Sequence, residues 1–411
     1  MKEQNKSKRV LLLMTPTTYR ATDFLKAAKV LGFEIVVGTN EAQALAGLAQ
    51  ENNLTLPFDH SDGALLIVRE YVKNHAVTAV IGVDDEATIV ASEIADSLGL
   101  QHNSLAATSA TRNKLQMRKL FQEEGLFSPR FFLWEGKVDD VRFPCVVKPL
   151  SLSASRGVIR ANNVTELQNA IARVKHLLAQ PEVEERSKGL GEKQILIEDF
   201  IPGEEFALEG LLIRGKLKVL ALFDKPDLLE GPYFEETIYV TPSRQPSQVQ
   251  QTIFKCASRG CRALGLTEGP IHAEFRLNDR GVWILEIAAR TIGGLCSRTL
   301  RFGTGMSLEE VILRHACGLE IPTTEREPKA SGVIMLPIPK GGILREVRGV
   351  KDAKEVPFIE EVTISIPVGQ PVVPLPEGNK YLGFIFARAD TPDKVEGALR
   401  NAHQKLDFLI S

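Results

Sequence analysis

The stretch HAEFRLNDRGVWILEIAAR, residues 272–290, alternates apolar and polar side chains on both sides of Asn278-Asp279-Arg280-Gly281. Alternation interrupted by a glycine-containing break is the pattern of a β-hairpin. A three-residue loop, Asp279-Arg280-Gly281, with Gly281 left-handed, sets the register. Leu277 then faces Trp283, Phe275 faces Leu285, Ala273 faces Ile287 and Ile271 faces Ala289, which makes one face wholly apolar. The other face pairs Arg276 with Ile284, Glu274 with Glu286 and His272 with Ala288. A one-residue slip would mix the faces, which a half-buried sheet resists. Like charges directly opposite one another are destabilising, so this pair calls for a cation. A hard divalent ion such as Mg²⁺ takes oxygen ligands and needs few of them from protein. The alternative is a solvated face with Arg276 and Arg290 as neutralisers.

Other segments carry weaker chemistry. VVKPLSLSASRGV ends a strand at Lys148 and continues into a loop of small residues, where Ser151, Ser153, Ser155 and Gly157 let amides and hydroxyls approach phosphate oxygens. A plain serine-rich surface loop has the same composition. Asp84, Asp85 and Glu86 follow an apolar run and fit either a ligand edge or the acid-favouring start of a helix. Glu205 and Glu209 share one strand face, as exposed acids commonly do, and His272 lies on the predicted face of Glu274. GLLIRGKL at 210–217 departs from a P-loop: Leu217 replaces the metal-binding hydroxyl, and the segment reads strand–turn–strand around Arg214-Gly215. No G-x-S-x-G, H-E-x-x-H or G-x-G-x-x-G occurs, which weakens hydrolase, metalloprotease and dinucleotide-dehydrogenase readings.

These residues need elements to position them. RVLLLM, EIVVGT and AVIGV read as buried strands, and helices fall at about 22–31 and 86–99. Strands alternating with helices predict a parallel, doubly wound sheet that binds ligands beyond its carboxyl edge. That edge receives residues 84–86. A helix over about 111–124 and a strand at 143–148 follow. A second helix at 165–180 opens on a Thr165/Gln168 capping box. Residues 181–193 are polar and read as an exposed loop. QILIEDF and EEFALEGLLIRGKLKVLALF supply three strands of an antiparallel meander. Ser247/Gln250 and Ser307/Glu310 cap two more helices, 322–331 reads as a linker, and a last helix starts at Pro392. The sum is an α/β front, an α+β middle and a small α+β tail.

At 411 residues the chain has room for two to four domains, with 44% hydrophobic and 25% charged residues. A formal net charge of −2 gives no electrostatic case for nucleic acid or an acidic membrane as partner. No apolar run approaches the roughly 20 residues that span a bilayer, and the basic start lacks a signal-peptide pattern. Five cysteines without a C-x-x-C pair fit a reducing, cytoplasmic setting and argue against a zinc site.

Taken in order, the helix with Lys114, Lys148 and its loop, LIEDFIPGEEF, the two-glutamate hairpin, Arg290 and Gly293-Gly294 resemble the ATP-grasp superfamily over about residues 1–325. The tail, IMLPIPKGGILREVRG through KYLGFIFARADTPDKVEGAL, and FDKPDLLEGPYFEE at 223–236 are similar to bacterial L-amino-acid ligases, which join two amino acids into a dipeptide. The resemblance implies an ATP-grasp fold: an N-terminal α/β domain over 1–112, an ATP-grasp domain over 113–322 with a mobile lid at about 146–200, and a C-terminal α+β domain over 323–411.

It also implies roles. Lys114 and Lys148 would contact ATP phosphates beneath the loop with Ser153, Ser155 and Gly157. Glu198 and the backbone at Phe200 and Ile201 would hold adenine, and Glu205 the ribose. Glu274 and Glu286 would hold Mg²⁺, with Mn²⁺ as a substitute. Arg290 would stabilise the transferred phosphoryl group, while Glu86, His272, Gly293 and Gly294 would line an amino-acid pocket. The implied activity phosphorylates a carboxylate and lets an amine displace phosphate, with amino acids as substrates and a homodimer as an allowed assembly. Two departures stand out: Ala288 replaces the asparagine ligand common in the superfamily, and the loop is serine-rich where relatives are glycine-rich. The competing implied readings are a biotin-carboxylase-like or purine-pathway carboxylase and a non-catalytic ATP-binding protein. EIAARTIGGLCSRTL lacks the Glu-His pairing expected of biotin carboxylases.

Overall fold

The computed structural model describes residues 8–41, 52–186 and 193–411. The front segment contains β1 (Arg9–Leu13), α1 (Ala21–Leu31), β2 (Glu34–Thr39), β3 (Asn53–Thr55), α2 (Ser61–Val72), β4 (Ala79–Gly82) and α3 (Asp85–Ser97). Its strands run parallel in the order β3-β2-β1-β4. Alternation along β1 divides its side chains. Val10 and Leu12 pack with Phe24 and Ala28 of α1, whereas Leu11 and Leu13 pack with Val68 of α2 and Val90 of α3. Helices on both faces make the sheet doubly wound, and its carboxyl edge delivers Asp84, Asp85 and Glu86 at the start of α3.

Two short helices follow, α4 (Leu105–Arg112) and α5 (Lys114–Glu123). The single helix expected over 111–124 is therefore broken at Asn113, whose extended backbone and side chain accepting from Gln116 N restart the helix. A small antiparallel sheet comes next, from β5 (Phe131–Leu133), β6 (Cys145–Pro149), β7 (Ile159–Ala161) and β8 (Ile195–Asp199), in the order β5-β8-β6-β7. Helix α6 (Val164–Leu178) covers it, with Leu167, Ile171, Val174 and Leu178 packed on Val147 and Ile197. Asn163, not Thr165, caps this helix, because its side chain already satisfies Glu166 N. Within the expected loop, Pro181–Arg186 forms a further helix, α7, and 187–192 lie outside the described residues.

The central sheet begins with β9 (Glu204–Ile213), β10 (Lys216–Lys225) and β11 (Ile238–Thr241), then α8 (Ser247–Ala263), β12 (Gly269–Asn278) and β13 (Gly281–Ala288). Ser247 is the first residue of α8, not its cap; Pro246 holds the cap position, and Gln250 donates to Gln245 O. Two short strands, β14 (Arg301–Phe302) and β15 (Met306–Ser307), lead to α9 (Leu308–Ala316), opened by the predicted Ser307/Glu310 capping box. The tail supplies β16 (Ala330–Leu336), β17 (Gly342–Arg348), α10 (Val350–Lys354), β18 (Ile359–Ile364), β19 (Pro371–Val372), β20 (Gly383–Ala389), α11 (Pro392–His403) and β21 (Asp407–Ile410). Eight strands make one sheet in the order β13-β12-β9-β10-β11-β16-β20-β18, so three tail strands extend it edge to edge. The meander expected of β8, β9 and β10 is not formed. β8 joins the small sheet, where it bonds β5 and β6.

The hairpin keeps part of its predicted register. His272 faces Ala288, Ala273 faces Ile287, and Glu274 faces Glu286. Beyond that point the turn is shorter than expected: Asn278 pairs with Gly281, so Asp279-Arg280 alone form the loop. Phe275 then faces Ile284, Arg276 faces Trp283, and Leu285 is left over as a bulge. Ile284 and Val282 consequently enter the core with Phe275 and Ile271, while Leu285 lines a cavity on the opposite side. A bulge re-aims side chains in this way.

Candidate active site

The site floor is three rows of side chains across β10, β9, β12 and β13. Cross-strand pairing sets Lys225, Glu205 and Arg276 in one row, Ala207, Glu274 and Glu286 in the next, and Glu209, His272 and Ala288 in the third. A period of two on each strand directs all of them to one face. Glu205 and Glu209 are not the exposed acids expected; they are 7% and 1% accessible.

The cation that answers Glu274 is Lys225. Its Nζ lies 2.8 Å from Glu205, 2.8 Å from Glu236 and 3.1 Å from Glu274, above the Tyr239 ring. Burial would lower this ammonium, but the three carboxylates hold it well above the ordinary lysine range. Burial raises Glu236, which also receives the Tyr239 hydroxyl at 2.6 Å. Glu205, Glu236 and Glu274 bring carboxylate oxygens within 4.8 Å of one another, a grouping that Lys225 already neutralises from within. Arg276, offered above as a neutraliser, serves Glu205 at 2.9 Å and the Ile201 carbonyl at 2.6 Å. Arg290 serves Asp85 at 2.6 Å.

Glu286 differs from its partner: among the described residues it forms no ion pair or hydrogen bond, and it lines the cavity. A cross-strand carboxylate pair with one member unengaged is a donor set that fits a hard divalent ion. His272 sits beside it. Nδ1 is 2.5 Å from Glu209 Oε1, and Nε2 is 3.5 Å from Glu274. Burial alone would lower His272, yet the Glu209 bond and charge raise it to about 9. Glu209 also accepts from Ile292 N at 3.0 Å, which fixes the chain just before Gly293-Gly294.

A second cluster ties the small sheet to α5. Glu198 is 2% accessible and lies 2.7 Å from Lys148 Nζ and 2.7 Å from Arg118 Nε. Burial would raise this carboxyl, but Arg118 and Lys148 hold it at about 2. The Arg118 approach is angled off the hydrogen-bond axis, so Lys148 has the better-directed contact. Both oxygens of Glu198, set against adenine in the sequence reading, are thus committed to cations. Lys114 Nζ donates to Leu152 O at 2.5 Å, and burial lowers its pKa. The loop beyond has Ala154, Ser155 and Gly157 at φ 56°, 55° and 74°. Gly157 N donates to Pro376 O at 2.8 Å.

At the far wall, Asp84 accepts from Thr15 N and Thr18 Oγ1, each at 2.9 Å, and Asp85 is paired with Arg290 and Arg112. Glu86 lines the cavity beside them. Every predicted site residue except Gly157 lines this one cavity of about 300 Å³, and Gly157 closes the loop that roofs it. Lys225, Glu236 and Arg276 carry the floor and were not assigned sites from sequence. The legible signal for Lys225 was a charge ending the apolar run LALFDK. The five cysteines are free and buried, and no described helix is long and apolar enough to cross a membrane.

Family models match in three places: an ATP-grasp domain at 141–299, an ATP-grasp N-terminal domain at 25–102 and an L-amino acid ligase C-terminal domain 2 at 334–411. The fold is the ATP-grasp fold, and the chain resembles the L-amino-acid ligases within that superfamily. The L-amino acid ligase of Bacillus licheniformis superposes with a TM-score of 0.84 at 24% identity, over 98% of this chain and 99% of that one. N5-carboxyaminoimidazole ribonucleotide synthetase from Thermotoga maritima superposes at 0.72 with 16% identity, over 98% and 100%. Dapdiamide A synthase of Enterobacter agglomerans is 24% identical over 57% of this chain and 55% of its own length. The chain spans about half the length of the first curated relatives it matches.

Proposed function

We propose that this chain is an ATP-dependent carboxylate–amine ligase that activates one amino acid as an acyl phosphate and joins it to a second, releasing a dipeptide, ADP and phosphate. The observation that carries the reading is the shared cavity: phosphate-type cations and paired acids line one wall, and Glu86 lines the other. The C-terminal match and the ligases named above support it.

In this reading Lys148 and Lys114 meet the ATP phosphates. Glu198 acts through Lys148, fixing its ammonium; Phe200 N and Ile201 O are already bonded to Pro144 O and Arg276, so adenine would meet the Phe200 carbonyl and the Ile201 amide, with Glu205 beside the ribose. Glu274 and Glu286 would hold Mg²⁺, or Mn²⁺, which when bound supplies charge neutralisation to the phosphates; Ala288 adds no ligand. Glu86 meets the ammonium of the amino acid being activated, and Gly293-Gly294 leave room for its side chain. Arg290, anchored by Asp85, faces the charge that develops as a carboxylate oxygen attacks the terminal phosphorus. Placing the reactants and their counter-charges is most of what a protein can contribute to such a transfer. The roof from 151 to 157 keeps water from the acyl phosphate, whose carbonyl the second amine then attacks as phosphate leaves.

The test is phosphate release from Mg-ATP with a panel of amino-acid pairs, against bicarbonate, with products identified by mass spectrometry. Amino-acid-dependent release with a mass for the condensed pair supports the reading. Release with bicarbonate alone would favour a carboxylase.

A further inference from the structure

Six lysine and arginine side chains among the described residues line the cavity, and five are already committed. Arg20 is held by Asp84 and Thr291, Lys114 by Leu152 O, Lys148 by Glu198, Arg276 by Glu205 and Arg290 by Asp85. The sixth, Lys380, forms no ion pair or hydrogen bond among the described residues. It is exposed at the cavity mouth, on the segment just before β20.

That segment is fixed in place. On the lid side, Gly157 N donates to Pro376 O at 2.8 Å, Arg156 Nε donates to Glu377 O at 2.7 Å, and Arg173 forks onto the Glu377 carboxylate. On the other side Tyr381 N approaches the Tyr19 hydroxyl at 3.4 Å. Within it, Gly378 N donates to Pro374 O at 2.9 Å. The backbone on both sides of Lys380 is thus anchored, and a free ammonium is presented to the cavity by the tail.

The proposed reaction leaves one charge without a counterpart. The activated amino acid loses its negative charge into the acyl phosphate, and its ammonium meets Glu86. The amine donor must arrive as a neutral amine, so its own carboxylate enters as a net negative charge. We infer that Lys380 binds the α-carboxylate of the amine-donating amino acid, and so selects free amino acids over amines or amides lacking that group. This rests on the ligase reading. The step itself is balanced: the nitrogen of the neutral donor forms the C–N bond, the C–O bond to phosphate breaks, and the proton that this nitrogen sheds leaves on the departing phosphate. A salt-bridged hydrogen bond to a carboxylate is among the stronger ones, reduced here by exposure.

The experiment uses the full chain with Mg-ATP and one activated amino acid. The donor is varied between an amino acid and its carboxamide, in the wild type, Lys380→Ala and Lys380→Arg. The expected result is a KM for the amino-acid donor raised about tenfold in Lys380→Ala, partly restored in Lys380→Arg, with the KM for ATP within about twofold. The wild type should discriminate against the carboxamide and Lys380→Ala should not. Equal discrimination by both proteins overturns the inference alone. A rise in the KM for ATP in place of the donor's overturns it in favour of phosphate contact. A wild type that condenses no pair of amino acids removes the ligase reading and this inference with it.

Discussion

Replacing Glu198 by glutamine should separate a stability effect from a catalytic one. The carboxylate is buried between two cations, 2.7 Å from each, on the strand that joins the small sheet to α5. Its pKa falls from an ordinary 4.5 to about 2, because Arg118 and Lys148 outweigh the burial that would raise it. At about 1.4 kcal/mol per pH unit, that depression is worth about 3 kcal/mol. This agrees with the roughly 3–5 kcal/mol lost when one partner of a buried ion pair is removed. A group whose folded pKa is depressed contributes stability that is full above the unfolded value and lost as pH falls through the folded one. The gap between wild type and Glu198→Gln should therefore be full near neutral pH, start closing below about 4.5, and have lost about 2 kcal/mol by about pH 3. The chain has two tryptophans, Trp134 against the core of the small sheet and Trp283 on β13. In a Trp283→Phe background, urea unfolding followed by fluorescence reports the small sheet alone. The loosened Lys148 should also raise the KM for ATP. A gap below about 1 kcal/mol, or one that does not change with pH, would refute the reasoning.

Glu286→Gln should abolish Mg²⁺-dependent ATP turnover while leaving thermal stability equal to or above wild type, since it relieves a like-charge pair; calorimetric titration of Mg²⁺ with a non-hydrolysable ATP analogue checks the binding directly. Gly157→Val should slow turnover and destabilise the 151–157 loop by about 1–3 kcal/mol, because φ is 74° and a Cβ would lie 3.0 Å from Leu177 and 3.1 Å from Pro149; proteolysis at this loop provides a measure independent of activity. Glu377→Gln weakens the fork from Arg173 and should raise the KM for the amine donor more than that for ATP, as measured by initial rates with each substrate varied.

Sequence alone determined the local elements and much of their order. The doubly wound front followed from alternation of apolar strands with helices. The opposition of Glu274 and Glu286 followed from period two around a tight turn, and it survived an error in the turn itself. The two-residue loop shifts the pairs next to the turn by one residue and the Leu285 bulge restores the count, so the predicted register holds from Glu274 back to His272 and fails between Phe275 and the turn. Which carboxylate faces which is thus a short-range matter. What those carboxylates meet is not. Lys225 arrives from β10, Glu236 from the segment before β11, and Glu209 turns out to be buried only because β9 sits in the middle of an eight-stranded sheet. The assignment of β8 to the small sheet was likewise illegible, since a short apolar strand carries no record of its partners. The cap of α6 was assigned to Thr165 instead of Asn163, and the helix break at Asn113 was not foreseen, because several neighbouring polar residues are able to cap the same amides. The cation at the mouth of the cavity, Lys380, is fixed by contacts from residues about 200 positions away, Arg156 and Arg173. Local propensity sets the strands and helices; long-range burial decides which charges are paired and which are left free to take a substrate.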